Sequence, residues 1–416
     1  MFKYNKKVSA GALQYVLVIG IIILIILLSF IQFINLQQKL EKKRDHYGKA
    51  ILNTANGFKF LSLNSFEDLS KTIQFSDNAN EETTFVVAKW GVYDLVKVTS
   101  KVKNEEFSKI ALMGSVNKER KSIYLVENNT PLVIVGKTRI IGNAYLPRRG
   151  VKRGNISGVS YYGDELVYGA IRTSSSNLPE NRFVKRLFTN NNIISESDSD
   201  ALDINIKDQV VNSYISKTLV YKDYLPILLE GVSLKGNIII QSFSKIVVAG
   251  NTSLEDVILI APEIEVKSGT KGSFQAFASK RIIIEKNVKL TYPSCLVLKY
   301  DSDRIDKKDG IFIDSGTYVS GGVYFLQKES NERNLDPQIK INTSSVITGE
   351  LYCQGNTEIL GTVIGELYTN NFIAKQNGRR YINHIYNGVM NARELSDNYI
   401  GILGNDNRKG VSKWLY

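Results

Sequence analysis

The sequence predicts a mainly β protein. It has a single N-terminal transmembrane helix with a helical stem, a small α+β module, and then a parallel β-solenoid, β-helix-like domain. Three observations predict this. Ala12 to Ile34 is an uncharged apolar run, ALQYVLVIGIIILIILLSFIQFI. Residues 236–290 repeat themselves with an offset of 18. A glycine motif ending in tyrosine recurs at four separated places. The boundaries that follow are 1–11 for a short basic tail, 12–35 for the transmembrane helix and 36–62 for the stem. The α+β module takes 63–128, the solenoid with loop insertions 129–375, and a C-terminal cap 376–416.

The apolar run is 23 residues, roughly 35 Å of helix at ~1.5 Å per residue, against a bilayer core of about 30 Å. A cleaved secretory signal would carry a shorter apolar region and a small-residue cleavage site. Ser29-Phe30-Ile31-Gln32-Phe33 has no such site, so the segment reads as a retained anchor, with 12–35 in contact with lipid. Lys3, Lys6 and Lys7 precede it, and Lys39, Lys42, Lys43 and Arg44 follow. Flanking Lys and Arg set orientation, and here they nearly balance. The reading adopted is a single-pass protein of the bacterial inner membrane, short N-terminus inside and large C-terminal domain in the periplasm.

Beyond the span, Leu36-Gln-Gln-Lys-Leu40 continues without Gly or Pro. Tyr47, Ile51, Ala55 and Phe58 recur at helical spacing and predict one apolar face. Gly57 reads as the stop. Gly11 follows Lys6-Lys7 and opens the apolar run. Basic residues, glycine, then a long apolar helix resemble the N-terminus of type IV pilins and pseudopilins. That resemblance implies a peptidase cut after Gly11. Val16 stands where the family usually has Glu, which departs from its pattern. An ordinary signal-anchor stays open.

The chain has 416 residues, with 31 Gly, 7 Pro, 22 Tyr and 17 Phe, a bias toward β structure. Two cysteines, Cys295 and Cys353, exclude a disulfide framework and leave one bridge or two free thiols open. A net charge of +12 suits an anionic partner. No zinc-finger spacing, helix-turn-helix cue or basic helix in the main domain points to specific nucleic acid. Between stem and repeat, Thr83–Ala88, Val92–Val98, Ile110–Met113 and Ile123–Val126 predict strands, with Trp90-Gly91 a turn.

In the repeat, positions 240/258/276 read Ile, Ile, Ala; 246/264/282 read Ile three times; 248/266/284 read Val, Val, Ile. A fixed period near 20 indicates a solenoid, in which each coil's strands pair with the coil above and like side chains stack. Gly142-Asn-Ala-Tyr145, Gly321-Gly-Val-Tyr324, Gly349-Glu-Leu-Tyr352 and Gly365-Glu-Leu-Tyr368 form the second repeat. Gly suits a coil corner that needs positive φ. The segments 172–204 and 326–337 read as insertions. The whole resembles β-solenoids of the bactofilin, polymer-forming type and right-handed β-helices at the level of fold, which implies no activity. Tyr381, Ile385, Tyr386, Tyr399, Trp414 and Tyr416 predict a cap over the last coil.

Sequence signals for catalysis are sparse. Neither histidine, His46 or His384, sits in a metal or nucleophile motif, and no H-E-x-x-H, G-x-S-x-G or P-loop pattern occurs. Asp198, Asp200 and Asp203, and Asp301, Asp303, Asp306 and Asp309 with Arg304, lack EF-hand spacing and read as solvated loops. No metal or cofactor is implied. Lys137, Arg139, Arg148, Arg149, Lys152 and Arg153 fall in an acid-free stretch. Of these, Arg148, Arg149, Lys152 and Arg153 form a candidate anion-contact loop for an acidic glycan, lipid headgroup or acidic protein face. The expectation is a non-enzymatic structural or interaction component of the cell envelope, pilin-like or secretion-associated, partnered by other envelope proteins. A membrane-tethered polysaccharide lyase or hydrolase and a cytoplasm-facing bactofilin-like scaffold stay open.

Overall fold

The structure, a computed structural model, describes residues 10–64, 70–73, 80–179, 181, 184, 199–201, 209–300, 306–327, 335–404 and 408–415. Lys3, Lys6, Lys7, Asp198, Asp203, Asp301, Asp303, Arg304, Tyr416 and the side chain of Asp200 lie outside the described residues. The chain is mostly strand, with one long N-terminal helix. It divides into two compact units: residues 1–59, 70–85 and 98–108, and residues 60–69, 86–97 and 109–416.

One helix runs Ala10–Leu63 without a break, and its residues as far as Lys59 belong to the first unit. Its apolar part is exposed throughout, a state that water penalises and a bilayer accepts. Gly57 does not stop the helix. It is buried, and a Cβ there would press on Val98 and Phe85 at 2.7 and 2.9 Å. Glycine serves close approach of helix to strand. The buried face is also one strip away from the predicted one. It carries Ala50, Asn53, Thr54 and Phe58, while Tyr47, Ile51 and Ala55 are exposed. Small and polar side chains form it because they seat the helix against hydrogen-bonding strand residues. Asn53 donates to Glu81 at 3.2 Å, and Thr83 pairs with Ser100 at 2.9 Å.

In the second unit, parallel strands build a closed, barrel-like sheet. One ladder runs Ser199–Ala201, Thr218–Asp223, Ile238–Ser242, Ser253–Val266, Lys271–Ile284, Lys289–Tyr300, Tyr318–Gln327, Val346–Ile359 and Thr362–Gln376. It then continues on strands from early in the chain: Lys121–Leu125, Asn143–Leu146 and Ile171–Thr173. Rung order is therefore not chain order. Of the segment read as an insertion at 172–204, the described strands Ile171–Thr173 and Ser199–Ala201 are rungs of this ladder. Lys121–Leu125, assigned to the α+β module, belongs to this sheet.

Another ladder carries the core. Ile227, Ile246, Ile264, Ile282, Ile311 and Ile339 stack in register, as do Leu229, Val248, Val266, Ile284, Ile313, Ile341 and Ile359. All are buried, and alternate residues face the interior as a half-buried strand requires. The column 240/258/276 is corrected. Ile240 pairs with Leu259 and Leu259 with Ala276, because the register shifts between Glu255 and Val257. The extra residue at Asp256 displaces the pairing of the residues after it, until a second shift between Ala261 and Glu263 restores the register.

The tail pairs with strands from early in the chain. His384–Tyr386 pairs with Leu132–Val135, and Val389–Asn391 lies between Thr362–Gln376 and Arg139–Ile141. Lys409–Leu415 is an antiparallel partner of residues 110–115, and Trp414 faces Ala111. Val389–Asn391 thereby fills the gap between a late and an early rung. Cys295 and Cys353 are free and buried.

Ile264→Ala should lower stability by about 3 kcal/mol, since its neighbours above and below are held in the ladder and cannot fill the hole. Urea unfolding followed by circular dichroism measures it; an unchanged midpoint would refute the stacked-column account.

Candidate functional site

The four glycine motifs come together. Gly321 pairs with Gly349 and Gly349 with Gly365, while Tyr324 pairs with Tyr352 and Tyr352 with Tyr368. Tyr368 then pairs with Tyr124, and Tyr124 with Tyr145. Tyr124 joins a column that the motif did not include, because its strand has Lys121 three residues before the tyrosine, where the others have Gly. Gly321, Gly349 and Gly365 lie inside continuous strands, at φ 137, 138 and 141°. Residues before Gly365 belong to one ladder and residues after it to another. A Cβ at Gly349 would strike the Gly321 carbonyl oxygen, and one at Gly365 the Gly349 carbonyl oxygen. The rings of Tyr145, Tyr124 and Tyr368 stack at centroid separations of 5.7 and 5.9 Å, and Tyr352 lies tilted against Tyr368 at 6.0 Å. Such offset aromatic pairs add ~0.5–1.5 kcal/mol each beyond area burial.

Beneath the column lie two buried glutamates in register, Glu350 and Glu366. Glu350 accepts from Tyr324 Oη at 2.7 Å, Ile402 N at 2.9 Å and Leu403 N at 3.2 Å. Glu366 accepts from Asn117 Nδ2 at 2.8 Å, Tyr368 Oη at 2.9 Å and Lys121 N at 3.1 Å. Burial pushes Glu350 up to about 7, and the neighbouring Glu366 adds to this, against the donors that lower it. Burial raises Glu366 as well, offset first by the Lys121 amide. The glutamates act as docking acceptors. Glu350 holds the 402–403 backbone, and Tyr399 Oη donates to the Gly321 carbonyl at 2.8 Å. Arg120 fastens the same tail through the carbonyls of Leu395 and Ser396.

Two cavities meet on Asn117, Lys118, Glu119 and Lys121, beside the tyrosines. One, of about 360 Å³, reaches Tyr352, Tyr368 and Leu403. The other, of about 630 Å³, reaches Tyr145, Arg172 and Arg393. Lys121 Nζ lies 5.5 Å from the ring centres of Tyr124 and Tyr368 and 5.0 Å from that of Tyr145. Arg172 donates to Tyr145 Oη at 2.9 Å, and its guanidinium carbon lies 5.7 Å from that ring's centre. The cleft is thus polar, cationic and aromatic-walled.

The candidate anion loop lies elsewhere. Arg148 and Arg149 occupy an exposed turn, but Lys152 and Arg153 are on a strand, Val151–Arg153, paired with Leu132–Val135. Arg148 N donates to Glu127, and Arg153 Nη2 to the Asp164 carbonyl at 3.0 Å. Asp309, read as a loop acid, is buried and accepts from Tyr300 Oη at 2.8 Å. His384 packs on Tyr381, and burial lowers its pKa. Among the described residues no cluster of three or more His, Cys, Asp or Glu gathers to hold a metal. Sequence reasoning missed the glutamates; their signal was the same Glu at the same place in two GELY copies. No family model matches the chain, and comparisons with curated proteins and with solved structures find no significant match.

Gly349→Ala should cost about 2–4 kcal/mol, from positive φ and collision with the neighbouring carbonyl; a thermal melt superimposable on wild type would refute this. Glu350 carries a pH signature. Its folded pKa, about 7, lies above the ordinary 4.5, so the folded state holds the proton better than the unfolded chain. Its contribution is complete below pH 4.5 and lost as pH rises toward 7. Glu350→Gln keeps an acceptor for Ile402 and Leu403 and removes the titration. Melting temperature should therefore fall more steeply between pH 5 and 8 in wild type than in the variant; parallel profiles would contradict it.

Proposed function

We propose that this protein is a membrane-tethered, non-enzymatic structural and interaction component of the bacterial cell envelope, whose large domain is a β-solenoid facing the periplasm. The observation that carries the tether is the exposed apolar span at the start of a 54-residue helix. Left in water, such a surface would drive aggregation; in a bilayer it costs nothing. The parallel ladders, in register over many rungs, support the solenoid reading, because like residues stack at successive turns. The helix that continues past the span and seats Ala50, Thr54 and Gly57 against strand residues supports a pilin-like plan, with Gly11 at its processing boundary.

An interaction role is favoured by the cationic cleft. A lyase or hydrolase would need a carboxylate free to exchange protons with substrate. Glu350 and Glu366, the acids behind the tyrosine wall, are instead committed to backbone and side-chain donors. Other envelope proteins would meet the remaining surface.

In bacterial cells the protein should resist alkaline carbonate extraction and dissolve in detergent, and protease added to spheroplasts should digest the C-terminal domain. Digestion only after lysis would place that domain in the cytoplasm, overturn the envelope reading and favour a bactofilin-like scaffold.

A further inference from the structure

We propose that the cleft along the tyrosine column binds an acidic carbohydrate chain, a saccharide bearing carboxylates; this rests on the reading of the large domain as an envelope interaction module. The first argument is charge. Lys118, Arg120, Lys121, Arg172 and Arg393 line the larger cavity against the carboxylates of Glu119 and Asp397. Arg120 is committed to tail carbonyls, with Asp397 at 3.9 Å. Lys118, Lys121, Arg172 and Arg393 stand within 4 Å of no described carboxylate. Like charges gathered in one cleft repel each other and attract a multivalent anion. Lys and Arg each present several N–H donors, and Arg binds a carboxylate in a bidentate fork.

The second argument is shape. The cavities join on Lys118 and Lys121; one is bordered by Tyr145 and the other by Tyr368 and Tyr352, the two ends of the ring column. Three rung steps at ~4.8 Å give about 14 Å of cleft, which suits a chain better than a single small ion. The larger cavity falls within the roughly 300–1,000 Å³ of ordinary ligand sites.

The third argument separates carbohydrate from nucleic acid. Single-stranded nucleic acid is held on free aromatic faces. Here ring faces are taken: Tyr145, Tyr124 and Tyr368 stack on one another, Tyr352 leans on Tyr368, and Arg172 and Lys121 lie close to the Tyr145 ring. Beside Glu119 and Asp397, the polar groups lining the cleft are mainly N–H donors and the Asn143 amide, which match hydroxyls and carboxylates.

The test uses the full chain in phosphatidylcholine nanodiscs, titrated calorimetrically with an oligogalacturonate octasaccharide, a neutral malto-oligosaccharide of equal length, and a short oligothymidylate. Oligogalacturonate should bind at least tenfold tighter than either comparator and weaken with added salt. Lys121→Gln with Arg172→Gln should weaken it at least tenfold. So should Lys118→Glu with Arg393→Glu, whose exposed side chains leave folding untouched. Charge reversal at Arg148, Arg149, Lys152 and Arg153 should leave it unchanged. Equal affinity for the neutral chain, tighter binding of the oligothymidylate, or loss only on reversal of the 148–153 cluster would overturn the proposal. None of these outcomes alters the extraction and protease results, so the two readings fail separately.

Discussion

Parallel pairing in register is the constraint on which the second unit depends. Each rung sits ~4.8 Å from the next, so a side chain's nearest neighbours are the residues at its own position above and below. The interior satisfies this with columns of Ile, Val and Leu. The outer wall satisfies it with tyrosines, whose rings stack at that spacing with a modest offset. Where strands pass from one ladder to the next, the carbonyl of the adjacent rung leaves no room for a Cβ, and glycine occupies Gly321, Gly349 and Gly365.

The same constraint makes the buried glutamates costly. Stacking Glu350 on Glu366 takes two carboxyls out of water: burial raises both pKa values, and the neighbouring Glu366 raises that of Glu350 further. The chain answers with donors from outside the ladder: the amides of Ile402 and Leu403 for one, the amide of Lys121 and Asn117 for the other. Two distant segments are thereby fixed against the rungs, and both border the cleft. Lys118 and Lys121 take their places beside the tyrosines partly because residues 117 and 121 are tied to Glu366. Acids that look catalytic in isolation act here as anchors for the loops that form the cleft.

What was legible in the sequence was whatever repeated at short, constant spacing. Ile246, Ile264 and Ile282 lie 18 apart and declared the stack; Ile311 and Ile339 belong to the same column but follow loops that break the period. The extra residue at Asp256 was invisible; it displaced one column, and the compensating shift between Ala261 and Glu263 left the other two intact. The Gly-to-Tyr motif disclosed four members of the tyrosine column, and Tyr124 escaped because its rung has no glycine. The stem face was misplaced because apolar spacing marks a helix that packs on apolar neighbours, whereas Ala50, Asn53, Thr54 and Gly57 pack by smallness and hydrogen bonds. The cleft was not legible at all. Its cations come from residues 118–121, 172 and 393, and only the pairing of early strands with late ones brings them together.

That pairing alters how stability is distributed. In an ordinary repeat protein each rung depends on its neighbours in sequence, and the ends fray independently. Here Lys121–Leu125 rests on Thr362–Gln376, and Val389–Asn391 is held between Thr362–Gln376 and Arg139–Ile141. A strand from the end of the chain thus supports strands from its beginning, and these sequence separations carry a large loop-closure entropy. The cleft lies at this junction, lined by Lys121, Tyr145 and Arg172 from the early strands and by Tyr352 and Tyr368 from the late ones. It is complete only when both parts of the chain are in place, so closure of the ladder and assembly of the binding surface are the same event.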